Sequence, residues 1–94
     1  LPTAVETVTT SQTVSSDVLT YICDTSSGDI TMTFNLVGEI YKEGQIWNFK
    51  KSSASNQLII SVGGGTIDGS ASVNVLTLYD NIAVQYDGTN FIII

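Results

Sequence analysis

Apolar and polar residues alternate along several short segments of the chain, and this two-residue period predicts β-strands. The clearest strand covers residues 30–36, in which four apolar side chains fall on one face and threonine and asparagine side chains fall on the other. No window keeps the spacing of an amphipathic helix, so we expect no helix longer than one or two turns. The pattern therefore predicts an all-β chain.

Further short strands are separated by segments rich in Ser, Asp, Asn and Gly, which favour turns. These strands are predicted at residues 12–14, 18–23, 45–51, 58–62, 66–67, 71–79, 82–86 and 91–93. The dipeptides Asp68-Gly69 and Asp87-Gly88 are typical of hairpin turns in which glycine adopts a positive φ. About eight short antiparallel strands at this spacing predict a β-sandwich or a small open barrel.

Two segments interrupt the regular alternation. Residues 63–65 are all glycine, and they predict a bulge or a close approach of backbone. A phosphate-binding loop would need a following Gly-Lys-Ser/Thr and a helix, which the sequence lacks. The apolar positions change face near Val75-Leu76, and this predicts a bend in the strand.

The length of 94 residues indicates a single domain with an extension. Residues 1–16 are rich in Thr, Val and Ser and nearly uncharged, and we interpret them as an extended connector arm. Residues 17–94 would then form the β-sandwich module. Because the first residue is Leu1 rather than methionine, we expect either a processed chain or a fragment of a longer protein, and we favour the fragment.

Several features predict that copies of the chain associate. A domain of this size buries only about 60–65% of its surface on folding, so it benefits from additional burial. Cys23 is the single cysteine and histidine is absent, which excludes an intrachain disulfide and an intrachain zinc site. The terminal segment 91–94 is apolar on both faces and would aggregate if it lay exposed at a sheet edge. We therefore predict that Phe91, Ile93 and Ile94 lie at an oligomer interface.

Charge limits the partners of the chain. The formal net charge is −6 and the isoelectric point about 4.1, with lysines only at positions 42, 50 and 51. An anionic surface repels nucleic acid and anionic membranes, and no apolar run reaches the roughly 20 residues of a membrane span. We therefore predict no nucleic-acid partner and no membrane insertion. Lys50 and Lys51 are interpreted as an exposed strand end that discourages edge pairing.

Side chains suited to catalysis are scarce. Without histidine a Ser-His-Asp site cannot form, and the only close pair of carboxylates, Glu39 and Glu43, lies in a short loop with no evident cleft. Asp68, Asp80 and Asp87 lack the spacing of a calcium-binding loop. The sequence therefore predicts no catalytic residue, no metal site and no cofactor.

An ordered set of short motifs resembles a known family. The set comprises the Thr-alternating strand at 30–36, the Lys-Lys strand at 44–51 and the apolar strand at 56–62. It continues with Thr-Ile-Asp-Gly at 66–69, Tyr-Asp at 79–80 and Asp-Gly-Thr-Asn-Phe at 87–91. This order, from about Asp17 to Ile94, resembles the distal modules of bacteriophage and other viral tail fibres, tailspikes and capsid spikes.

Two positions depart from the pattern of that family. Val37 follows Leu36 where proline is often found, and Phe91 stands where tryptophan is common. The resemblance implies a homotrimeric, β-rich component of the virion that serves as a trimerisation cap, a receptor-binding tip or a spike head.

The leading hypothesis is a non-enzymatic, homotrimeric fibre or spike head on the virion surface that takes part in host attachment. Residues in outward loops would contact a host glycan or protein receptor; the candidates are Tyr41, Lys42, Asn56, Asp87 and Asn90. Trp47 and Phe49 alternate within a strand, so they are predicted to lie in the core. Two alternatives stay open. One is a carbohydrate-binding or adhesin module of a bacterial surface protein, and the other is a structural trimerisation domain without a ligand.

Overall fold

The alternating segments form the strands of two facing sheets. The computed structural model describes residues 3–94, and all regular elements in that range are β-strands, which confirms the all-β prediction. Leu1 and Pro2, the start of the predicted arm, lie outside the described residues. The nine strands are β1 (Thr3–Val8), β2 (Gln12–Thr13), β3 (Val18–Cys23), β4 (Ile30–Asn35), β5 (Ile46–Lys51), β6 (Leu58–Gly63), β7 (Ser72–Val75), β8 (Asn81–Tyr86) and β9 (Phe91–Ile93).

The chain alternates between the two sheets as it runs from β1 to β6. One sheet has the order β1-β3-β5-β8-β9 and the other the order β2-β4-β6-β7. Within each sheet the first three strands are parallel, so the chain winds through three successive coils of two strands each. Thr20 pairs with Asn48 in one sheet, and Ile30 pairs with Leu58 in the other. Paired residues of the second and third coils are thus 28 positions apart in sequence in both sheets.

The prediction of antiparallel pairing is therefore wrong for the pairs among the first six strands and right for β5–β8, β6–β7 and β8–β9, so both sheets are mixed. Hairpins and crossovers use the same turn residues, because either connection needs glycine, serine and aspartate to change direction. Here most of these turns lead the chain across to the facing sheet. The Asp87-Gly88 turn does form a hairpin, between β8 and β9, and Gly88 has a φ of +100°.

Antiparallel strands close one end of the winding. β7 pairs with β6 in one sheet, while β8 pairs with β5 and β9 with β8 in the other. Ile67 lies in the loop between β6 and β7, forms a bridge with Phe91, and is fully buried. We call this the capped end. At the opposite, open end, β1 and β2 are the edge strands of the two sheets.

Part of the segment predicted as a connector arm belongs to these sheets. β1 pairs with β3, and β2 pairs with β4. Val8 and Val14 are buried in the same core as the rest of the chain. β1 and β2 therefore pack as the first coil of the two-sheet structure.

The core is built around an aromatic cluster. Phe34 lies at its centre, with ring centroids 4.1 Å from Phe91 and 5.1 Å from Trp47. The cluster contains seven of the eight aromatic residues of the chain, namely Tyr21, Phe34, Tyr41, Trp47, Phe49, Tyr86 and Phe91. Trp47 and Phe49 are fully buried, which confirms their predicted place in the core. The eighth aromatic residue, Tyr79, lies outside the cluster.

The glycine run provides the predicted close approach. Gly64 has a φ of +88°, a conformation that favours glycine. A Cβ atom on Gly65 would lie 2.6 Å from Leu36 Cδ1 and 2.8 Å from Asn90 Oδ1. The loop can therefore pack against the β8–β9 hairpin only because residue 65 has no side chain.

Candidate binding site

Tyr41 is not available as a surface contact, which corrects the prediction that it lies in an exposed loop. Its side chain is 6% exposed and its ring packs edge-on against Phe34 and Trp47. The Tyr41 hydroxyl donates to the Val14 carbonyl and accepts from the Asn35 N–H, both at 2.9 Å. Burial raises the pKa of this phenol. Tyr41 therefore anchors its loop to the core.

Lys42, Asp87 and Asn90 lie on one side of the molecule. The loop that carries Lys42 joins the hairpin where the Gly44 N–H donates to the Tyr86 carbonyl at 2.7 Å. Lys42 lines an open groove of about 410 Å³ together with Leu19, Glu43, Gly44 and Gln45. It is the one predicted contact residue that both is exposed and lines a groove.

The side-chain oxygens of Asp87 and Asn90 accept hydrogen bonds from the protein's own backbone. Asp87 Oδ1 accepts from the N–H groups of Thr89 and Asn90, and these bonds lower the pKa of the carboxyl. Asn90 Oδ1 accepts from the Thr66 N–H at 3.0 Å, which holds the glycine loop against the hairpin. Both residues therefore have a structural role that accounts for their identity without a ligand.

Asn56 lies apart from these three residues, in the turn between β5 and β6. It has a φ of 63°, which asparagine tolerates better than most residues, and its Nδ2 donates to the Thr25 carbonyl at 2.8 Å. The structure thus does not bring the five predicted contact residues together into one site.

Lys50 and Lys51 differ in environment, and the prediction of an exposed pair is wrong for Lys51. Lys51 is fully buried, and its ammonium group donates to the carbonyls of Ser53 and Ser55. Lys50 points to the opposite face, where its Nζ donates to the Tyr79 carbonyl at 3.1 Å and lies 5.8 Å from the centre of the Tyr79 ring. Alternation along β5 places successive lysines on opposite faces.

Cys23 lies beside Lys51 in the neighbouring strand and is fully buried. Burial raises the pKa of the Cys23 thiol to about 12. A nucleophilic role needs the thiolate, so this cysteine behaves as a small apolar residue.

The predicted interface residues at the carboxyl-terminal end have different environments. Phe91 is 1% exposed and packs inside its own chain, which corrects its assignment to an interface. Ile93 is 36% and Ile94 59% exposed. The Ile93 N–H donates to Asp68 Oδ1 at 3.0 Å, so the loop before β7 covers part of the β9 edge.

A second groove lies at the capped end, where the chain crosses from β7 to β8. It has a volume of about 520 Å³ and is lined by Asn74, Val75, Leu76, Thr77, Asp80, Asn81 and Ile82. We call it the β7–β8 groove. The change of face that the sequence indicates at Val75-Leu76 is the end of β7, after which Leu76 is 61% exposed. Sequence reasoning identified the bend but not the groove that it creates.

Tyr79 is not among the residues that line this groove, but it immediately precedes the lining residue Asp80 in the turn between β7 and β8. Its side chain is 64% exposed, and its φ is 65°. The other non-glycine residues with positive φ in residues 3–94 are Asn56 and Asp68, whose short polar side chains tolerate that conformation. Tyrosine does not tolerate it readily, and such outliers are enriched at functional sites.

The Tyr79 backbone is held in this conformation from several sides. The Asp80 N–H donates to the Thr77 carbonyl at 3.0 Å, which closes a turn with Tyr79 in its third position. The Tyr79 N–H donates to the Lys51 carbonyl at 2.7 Å, and the Lys50 ammonium binds the Tyr79 carbonyl. A turn with positive φ at the third position ordinarily has glycine there.

The described residues contain no group of three side chains arranged to hold a metal ion. None of them forms a helix long and apolar enough to cross a membrane. No protein-family model and no curated protein matches the chain.

Proposed function

We propose that the chain is a non-enzymatic terminal module of a virion fibre or spike, that it forms a homotrimer, and that it takes part in host attachment. The observation that carries the proposal is that the two ends of the winding differ in strand pairing. Three parallel coils end in antiparallel strands at the capped end, while β1 and β2 leave the open end as two parallel edges. The edge strands at the capped end, β7 and β9, run antiparallel to their neighbours, whereas both edges at the open end continue the parallel pairing onto which a further coil of a shaft could stack.

The outer face of the five-stranded sheet supports the assignment of a self-association surface. Pairing places Val5, Ile46, Ile92 and Ile94 on the face opposite Trp47, and all four are at least 37% exposed. The chain has nine carboxylates, yet the strand residues described on this face include none and only one charge, that of Lys50. Acidic chains can approach one another here without bringing carboxylates into contact.

This surface replaces the interface that the sequence analysis assigned to the terminal segment. Phe91 is already buried within its own chain, so its apolar side chain gives no reason to expect a partner. The mixed apolar face, with Ile92 and Ile94 at its margin, is the part of the molecule that a partner copy would cover. Three copies packed through this face about a threefold axis parallel to the winding would direct their capped ends the same way, as a fibre tip requires.

Sedimentation equilibrium of the purified chain tests the assembly. We expect a trimer at micromolar concentration, and Ile46→Lys with Ile92→Lys should convert it into a folded monomer by burying unpaired charge in the interface. Ile40→Lys is the matched control, because Ile40 is 90% exposed and lies in the loop between β4 and β5, outside the strands that form this face. A wild-type chain that stays monomeric over the whole range would contradict the trimer.

A bacterial surface adhesin is the second candidate, and the exposed Tyr79 beside a polar groove favours it. Such a module would bind its ligand as a monomer. Immunogold labelling with antibodies against the chain separates the two. The proposal predicts label at the tips of appendages on virus particles, whereas label distributed over a bacterial envelope would support the adhesin.

A further inference from the structure

We propose that the β7–β8 groove is a binding site for a neutral saccharide, with Tyr79 as its stacking platform. The proposal rests on the proposed attachment function for its biological role, but its chemistry follows from the groove itself. Nothing in the sequence motifs assigns a ligand to residues 74–82.

The size and lining of the groove suit a short sugar chain. Its volume of about 520 Å³ lies within the range of about 300–1,000 Å³ typical of small-molecule sites. Four lining residues carry hydroxyl, amide or carboxylate groups, and three carry apolar side chains; the polar four are Asn74, Thr77, Asp80 and Asn81. Amides and carboxylates supply the donors and acceptors that sugar hydroxyls need, while the apolar residues contact C–H faces.

Tyr79 supplies the aromatic surface that this composition otherwise lacks. All other aromatic rings of the chain pack in the core, and this one is exposed in a conformation that tyrosine adopts only at an energetic cost. Its phenol ring offers an apolar face together with a polar hydroxyl. Lys50 binds the Tyr79 carbonyl and its Nζ lies 5.8 Å from the ring centre, so the backbone that carries the ring is held in place before a ligand arrives.

Charge selects a neutral sugar over an acidic one. Asp80 lines the groove, and the whole chain carries a formal charge of −6. The cation nearest to Tyr79, the Lys50 ammonium, already donates to its backbone. A uronic or sialic acid would bring its carboxylate towards Asp80, whereas a neutral sugar can donate a hydroxyl to that group.

Glycan-array binding followed by calorimetry tests the site. The probes are neutral oligomers of glucose, galactose, mannose and N-acetylglucosamine, with sialyllactose and polygalacturonate as acidic counterparts. We expect binding to at least one neutral probe and none to the acidic ones. Tyr79→Gly and Asp80→Asn should each weaken binding by roughly tenfold or more.

The variants are chosen so that loss of binding cannot be attributed to unfolding. Glycine is the residue that the turn favours at position 79, so Tyr79→Gly should melt at the wild-type temperature or above it. Asp17→Asn removes one carboxylate outside the groove and should bind as the wild type does. Three results would each overturn the site. They are a preference for the acidic probes, unchanged binding in both groove variants, and no binding to any probe.

The outcome is independent of the test of assembly. A trimer that binds no saccharide would leave the proposed fibre module intact and remove this inference. A monomer that binds neutral sugar through Tyr79 would keep the inference and contradict the trimer.

Discussion

Replacing Tyr41 with phenylalanine should destabilise the fold strongly, although it removes a single oxygen atom. The ring would keep its contacts with Phe34 and Trp47, so the packing of the aromatic cluster is preserved. Two backbone groups would lose their partner, namely the Asn35 N–H and the Val14 carbonyl, each 2.9 Å from the hydroxyl. These bonds tie the loop before β5 to β4 and to the residue after β2.

The size of the effect follows from the burial of those groups. A buried donor or acceptor left without a partner costs about 1–3 kcal/mol. The bond to the Val14 carbonyl is buried and the bond from the Asn35 N–H is partly buried, so together they give an expected loss of about 2–4 kcal/mol in the free energy of unfolding. For a domain of this size, each kcal/mol lowers the Tm by roughly 4–8 °C, so we expect a drop of about 8–32 °C.

Tyr86→Phe is the matched control for this measurement. Its hydroxyl donates to the Gly88 carbonyl at 3.0 Å, but that bond is exposed and water can replace it. We expect a change within about 0.5 kcal/mol. Urea unfolding followed by the fluorescence of Trp47, the single tryptophan and fully buried, reports both variants. Equal, small losses for the two substitutions would refute the assignment of Tyr41 to a buried anchoring role.

Three further predictions follow from the packing. Gly65→Ala should cost about 1–3 kcal/mol in a melting experiment because its Cβ would displace Asn90 Oδ1, whereas Gly28→Ala, with open space around it, should have little effect. The Cys23 thiol, with its pKa raised to about 12, should react with a disulfide reagent at pH 8 only as fast as the fold opens; rapid labelling of native protein would contradict its burial. Burial raises the pKa of the Cys23 thiol and of the Tyr21 and Tyr41 phenols, so stability should be full below about pH 8.5 and fall as the pH rises further, because the unfolded chain releases these protons first, the thiol before the phenols. Unfolding free energies that stay flat up to pH 11 would contradict the last prediction.

Strict alternation made the strand faces predictable. Residues 30–35 and 46–50 have the buried face that the sequence indicates, because apolar side chains at every second position can be buried on one face only; Lys51 continues the buried face of β5 against the prediction. The pairing of strands was not predictable in the same way. The alternation of β3 is equally compatible with a neighbour that is parallel or antiparallel, so the winding between sheets emerges only from the structure.

The site was harder to predict than the fold. Tyr41 lies in a loop where Val37 is 88% and Ile40 90% exposed, and no local pattern distinguishes the single buried aromatic side chain from such neighbours. The β7–β8 groove arises where two strands of different sheets are joined, so its lining depends on topology. The one available signal was the change of face at Val75-Leu76, whereas the turn position of Tyr79, which glycine usually occupies, is visible only in the structure.

The central claim is that the capped end of the winding carries the ligand site, and mapping by NMR tests it most directly. The neutral oligosaccharide that binds best would be titrated into ¹⁵N-labelled protein while the amide shifts are followed. We predict that the perturbed amides cluster in residues 74–82 and in Lys50, while β1, β2 and the groove at Lys42 stay unchanged. Perturbations centred on the open end or on Lys42 would contradict the claim.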